Sequence, residues 1–250
     1  MENRRYFLEL TYKGTGFHGW QVQANAHTVQ EEVNRALSMI LRIPVETMGS
    51  GRTDTGVHAR QQFVHFDLPL TLEKQSFLKR LNAILPKEIA VNDLKEVHPD
   101  AHARFSAVSR SYLYYISLRK NPFEQGLSWQ YFGTLDIERM NEACRIMMEY
   151  RDFESFSKVK TEVNNFECEI KRAFWEQKDQ HLIFHITANR FLRGMVRAIV
   201  GTMVQVGEGK LDMEGFREVV NSKERGNAGV SVPPQGLYLS SVVYPEDIFI

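Results

Sequence analysis

The chain has 250 residues, 43% of them hydrophobic and 25% charged, with a formal net charge of zero. That is the make-up of an ordinary globular protein of one large or two small domains, and it speaks against indiscriminate polyanion binding. The apolar runs are short and broken by charge, no apolar leader follows Met1, and the two cysteines lie in unrelated segments; no transmembrane helix, secretion signal, disulfide framework or zinc knuckle is expected, and a reducing cytoplasm is the default compartment.

In chain order, residues 5–12 alternate apolar and polar as a strand does. Thr28-Val29-Gln30-Glu31 reads as a capping box opening a helix with Val29, Val33, Ala36, Leu37, Ile40 and Leu41 on one face, stopped by Pro44. A short strand over 45–49, a loop over 51–59 and a strand over 61–66 follow. Thr71 is expected to cap a second helix, with Phe77, Leu78, Leu81, Ile84 and Leu85 inward and Pro86 at its end, before a strand over 89–97. The order β-α-β-β-α-β is the ferredoxin-like unit.

The same order then recurs. A strand over 108–118 and a helix over 136–150 are followed by a hairpin turning at Asp179-Gln180. A helix over 191–206, a short helix from Asp212 and a last strand over 237–244 complete the pattern. The expected fold class is α+β, two ferredoxin-like halves with antiparallel sheets, divided as 1–105 and 106–250. The stretches 153–167 and 221–235 read as connections or functional loops.

Three motifs mislead. Gly14-Thr15-Gly16-Phe17-His18-Gly19 matches a dinucleotide fingerprint, but the following helix starts only at Thr28 and no acid stands where the ribose would need one. Asp54-Thr55-Gly56 spells the aspartic-protease triplet, yet occurs once and lacks that fold's surroundings. The histidine pairs His98/His102 and His181/His185 lack a third ligand, so no metal is expected.

The segment 51–59 carries the most chemistry. It holds two glycines, two threonines, Arg52, Asp54 and His58, and Asp54 is the sole carboxylate between Thr47 and Phe66. Flanked by Arg52 and Arg60, such an aspartate is expected to stay ionised, which suits a nucleophile or a charge anchor. Positive charge also collects without acids around Arg104, Arg110, Arg119 and Lys120, and around Arg190, Arg193 and Arg197. Arg104 and Arg110 frame the aromatic run Tyr112, Tyr114, Tyr115, a combination that suits stacking on unpaired bases. Arg190, Arg193 and Arg197, spaced i, i+3, i+7, are expected to form one basic stripe on the helix over 191–206.

Taken together, these pieces resemble the TruA family of tRNA pseudouridine synthases from end to end. The resemblance runs through Tyr12-Lys13-Gly14-Thr15-Gly16-Phe17-His18-Gly19-Trp20-Gln21, Thr28-Val29-Gln30, Gly51-Arg52-Thr53-Asp54 and Gly56-Val57-His58-Ala59. It continues with His102-Ala103-Arg104-Phe105, Arg110-x-Tyr112-x-Tyr114, Phe191-Leu192-Arg193-x-Met195-Val196-Arg197 and Gly236-Leu237-Tyr238-Leu239. It implies a cofactor-free, metal-free isomerase, acting as a cytoplasmic homodimer, that converts uridine to pseudouridine at positions 38, 39 and 40 of the tRNA anticodon stem-loop. It further implies that Asp54 is the catalytic nucleophile, attacking C1′ or uracil C6 or promoting glycal formation. Tyr112 would stack on the target base, Arg197 would pair with the aspartate, and Arg52 would help extrude the nucleotide. Arg104, Arg110, Arg190, Arg193 and His58 would be tRNA contacts. Thr55 (where alanine is usual), Arg190 and Val232-Pro233-Pro234 depart from the family pattern without removing a catalytic group.

Overall fold

The computed structural model describes residues 3–159 and 165–250. Part of the 153–167 stretch therefore lies outside the described residues. The chain divides into two compact units, one of residues 1–109 with 239–250 and the other of residues 110–238. The expected single cut near residue 105 thus gives way to a division in which the C-terminal segment belongs with the first unit.

In the first unit β1 (Arg4–Tyr12), α1 (Val29–Leu41), β2 (Met48–Gly49), β3 (His58–Leu68), α2 (Lys74–Ile84) and β4 (Ile89–Val97) follow one another. The sheet runs β4-β1-β3, with β2 on β3 and all these pairings antiparallel. The capping box forms as read: Thr28 accepts from the Glu31 N–H, and Glu31 reaches back to the Thr28 N–H. α1 ends at Arg42, which adopts a left-handed conformation (φ 60°) two residues before Pro44. The cap of α2 differs from expectation: Glu73, not Thr71, takes it, because a carboxylate with two oxygens satisfies the N–H groups of both Gln75 and Ser76. β3 starts at His58, three residues earlier than expected.

Tyr6, Phe7 and Leu8 are all buried, so both faces of β1 are covered. On one face Phe7 meets Tyr244 and Phe249, with ring centroids 5.1 and 6.4 Å away. This contact is why the C-terminal residues join the first unit.

The second unit contains β5 (Ser109–Ser117) from Arg110 onward, β6 (Trp129–Gln130), α3 (Ile137–Met147), β7 (Ile170–Lys178), β8 (His181–Ala188), α4 (Met195–Gly207) and α5 (Met213–Ser222). Its sheet runs β5-β8-β7, antiparallel, with the short β6 parallel to β5. The last strand, β9 (Leu237–Val243), closes this unit with Leu237 and Tyr238 and belongs to the first unit from Leu239 on. Asp179 takes the left-handed conformation (φ 53°) that the β7–β8 turn requires.

α4 is the buried element of this unit: every residue but Arg197 and Gln205 is out of water. Trp175 on β7 donates its indole N–H to Met203 (3.3 Å). On the other side, a Cβ at Gly201 would lie 1.9 Å from the Val230 carbonyl oxygen, and Gly229 faces Gly201 just as closely. The 229–230 backbone thus lies directly on the helix, held by a Gly229 N–H bond to the Thr202 hydroxyl (2.8 Å). Among the described residues, no helix is long and apolar enough to cross a membrane.

Candidate active site

Asp54 sits on the turn between β2 and β3, and the main chain on both sides of it is clamped. The Ser50 N–H donates to the Phe63 carbonyl (2.7 Å), and Gln62 donates to the Gly51 carbonyl (2.9 Å) while accepting from the Ser50 hydroxyl. Thr53 is buried, its hydroxyl 2.8 Å from the Tyr12 hydroxyl. The Val57 N–H closes the turn onto the Asp54 carbonyl (3.1 Å), with Gly56 at φ 79°.

The glycine-rich segment that mimics a nucleotide fingerprint is the other half of this clamp. The Trp20 N–H donates to the Thr53 carbonyl (3.1 Å), and the Gly56 N–H to the Phe17 carbonyl (3.4 Å). A Cβ on Gly14 would lie 2.0 Å from the Val57 carbonyl oxygen, and one on Gly19 (φ 87°) would lie 2.5 Å from that of Thr53. Two backbones this close leave room only for glycine. The result is a rigid turn presenting a half-buried Asp54 between the exposed Arg52 and Thr55. The backbone that carries Asp54 is thereby fixed, so its side chain departs from a defined position.

His58 is placed differently from the sequence expectation of an RNA contact. Only 1% of it is exposed, and its Nδ1 accepts the Gly14 N–H (3.0 Å). It supports the clamp from within.

In the second unit, Tyr112 lies on the buried face of β5, its ring edge-on to Phe191 at 5.0 Å. Two positions on, Tyr114 is fully buried and donates to the Pro233 carbonyl (2.8 Å). Burial raises its phenol far above the ordinary value, against the pull of the nearby Arg197 charge. Arg197 projects from the first turns of α4, and its Nε donates to the Val232 carbonyl (2.6 Å). The 232–233 backbone, which the sequence offered only as a departure from pattern, thus holds both Tyr114 and Arg197.

The basic stripe is not formed. α4 starts at Met195 behind Gly194, which sits at φ 73° as its N-cap, so Arg190 and Arg193 precede the helix and only Arg197 lies on it. A helix buried on nearly every side has no solvated stripe to offer. Arg190 instead sits in the turn at Asn189, whose carbonyl accepts from Arg110 (3.2 Å) and whose side chain accepts the Arg190 N–H (2.7 Å). Arg193 is exposed. Arg104, in the first unit, is exposed above the Phe105 ring.

His181 and His185 each pair with a glutamate, Glu124 at 2.7 Å and Glu176 at 2.9 Å. Among the described residues, no group of three or more histidine, cysteine, aspartate or glutamate side chains could hold a metal ion.

Residues 150–245 match a family model described as tRNA pseudouridine synthase. The curated tRNA pseudouridine synthase A of Parabacteroides distasonis is 49% identical over 98% of this chain and 98% of its own length. The chain belongs to the tRNA pseudouridine synthase A (TruA) family. TruA proteins of Bacteroides thetaiotaomicron (49% identical, over 98% of this chain and 93% of the relative) and Exiguobacterium sibiricum (37%, over 97% and 98%) extend the similarity. The TruA match therefore spans both units, the Asp54 turn and the Tyr112 strand alike.

Proposed function

We propose that the protein is a tRNA pseudouridine synthase that isomerises uridine at positions 38, 39 and/or 40 of the anticodon stem-loop, with Asp54 as its nucleophile. The observation that supports this reading is the end-to-end similarity to proteins named tRNA pseudouridine synthase A, 49% identity over 98% of the chain; the positions and the role of Asp54 are what the TruA resemblance implies. The clamped turn supports the assignment of Asp54, since a group that must meet one atom of the target nucleoside gains from a fixed backbone. Apart from the inserted β6 and α5, the chain order β5-β6-α3-β7-β8-α4-α5-β9 echoes β1-α1-β2-β3-α2-β4 and supports two ferredoxin-like halves.

In this reading the target nucleotide leaves the stem before reaction, because a stacked base hides its glycosidic bond. Arg52, exposed two residues from Asp54, fills the gap in the stack. The Asp54 carboxylate attacks at C1′ or C6, or promotes glycal formation. The N1–C1′ bond breaks, uracil turns, and a C5–C1′ bond forms. The C5 proton passes to solvent and N1 takes one up, so the reaction needs no cofactor. Tyr112 stacks on the base, and Arg197 keeps the catalytic role that the resemblance gives it. Arg104, Arg110, Arg190 and Arg193 meet RNA phosphates. The enzyme works as a cytoplasmic homodimer.

The test uses tRNA labelled with tritium at uracil C5. Wild type should release tritium, and Asp54→Asn should lower the rate by about four orders of magnitude while still binding tRNA. Well-folded wild type that binds tRNA but frees no tritium would be a binding module instead.

A further inference from the structure

Phe105 is 73% exposed, yet the turn that carries it is held by several hydrogen bonds. The Ala103 N–H donates to His65 Nδ1 (3.1 Å), and the N–H groups of Arg104 and Phe105 both converge on His102 Nδ1 (3.0 and 3.3 Å). His102 and Ser106 bond reciprocally at 2.9 Å, N–H to hydroxyl one way and N–H to carbonyl the other. Tyr244 holds the Ala103 carbonyl (2.6 Å) and Arg5 that of Ala101 (3.0 Å).

The rings form a file leading outward. Phe7 lies 6.2 Å from His65, His65 lies 4.6 Å from His102, and His102 lies 4.4 Å from Phe105. The Arg104 guanidinium sits 5.3 Å from the Phe105 centroid. An aromatic ring left in water on a flexible tip needs no explanation. One held there by this many bonds, with a cation beside it, is a preorganised stacking surface.

We infer that Phe105 is a stacking platform for an unpaired base of the RNA substrate, at a point remote from the reacting uridine. The inference rests on the tRNA reading above. Aromatic faces flanked by arginine take unpaired bases readily, the base on the ring and the phosphate on the cation. Position decides what such a contact does. Phe105 is attached to β3 through His65, seven residues from His58, or roughly 23 Å along the strand from where the Asp54 turn ends. A group that far away cannot touch the reacting atoms. It helps decide which RNA is held.

The experiment compares wild type, Phe105→Ala and Phe105→Trp by filter binding to full-length tRNA and by tritium release. Phe105→Ala should weaken tRNA binding and raise KM about tenfold, the order of one lost base stack, with kcat at saturating tRNA within about twofold. Phe105→Trp should restore both. Unchanged binding in Phe105→Ala overturns the inference, as does a loss of binding that tracks a fall in oligomeric state, which would make the ring a contact between copies. Binding is read without turnover, so weakened binding in a protein that releases no tritium would sink the synthase reading and leave the platform standing.

Discussion

α2 and α4 are helices of similar length with opposite surroundings. α2 buries only Phe77 and Leu81 and turns charged residues to solvent. α4 buries all but Arg197 and Gln205, because Trp175 lies on one side and the 229–230 backbone on another. The difference teaches how to weigh an arginine. On a one-sided helix a cation is ordinary solvated surface. Arg197 is the only charge on a helix that water scarcely reaches, and a charge in that position is kept only with partners to satisfy it. Its bond to Val232 supplies one.

The comparison can be broken most severely at Gly201. A methyl there would lie 1.9 Å from the Val230 carbonyl oxygen, and both groups are backbone-fixed. Gly201→Ala should cost about 3 kcal/mol or more by urea unfolding, despite alanine's better helix propensity. If it stabilised the protein instead, the close covering of α4 would be wrong.

Acid should act on the first unit. Burial, then the charges of His102 and Arg5, push His65 down to about 4 from an ordinary 6.5, with Asp67 opposing. The folded form therefore binds fewer protons than the unfolded one between those values. His65's contribution to stability is therefore full above about pH 6.5 and is lost as pH drops toward 4. Unfolding measured across that range should flatten in His65→Gln, and a profile unchanged by that substitution would refute the assignment.

Smaller effects complete the series. Thr28→Ala removes one side of the capping box and should cost about 1 kcal/mol. Lys79→Ala, on the exposed face of α2, should change stability by less than about 0.5 kcal/mol. A larger loss at Lys79 would mean that α2 is more covered than it is drawn here.

Local signals carried much of this fold. Thr28 and Glu31 name each other across three residues, and β4 has the bounds its alternation suggests. What the pattern did not show depended on the backbone and on distant chain. The pattern of 191–206 runs on into Phe191 and Leu192, so spacing alone makes Arg190, Arg193 and Arg197 a stripe; Gly194 at φ 73° breaks the helix, and nothing local distinguishes that glycine from one tolerated within a helix. His58 has the chemistry of an RNA contact, and only the arrival of Gly14 from 44 positions away makes it a buried acceptor. The Asp54 turn itself stood out in the sequence, with an arginine and an aspartate two residues apart among glycines. Its clamp was not, because a fingerprint of glycines looks alike whether a phosphate or another backbone comes near.

That clamp has a consequence for how the protein tolerates change. The main chain of the Asp54 turn is held by main-chain atoms of the 14–20 segment, while the side chain of His18 is exposed. Substitution at His18 should leave the turn where it is. Substitution at Gly14 or Gly19 moves it. If Asp54 is the nucleophile we propose, changes at Gly14 and Gly19 should inactivate as changes at Asp54 do, although neither glycine carries a functional group.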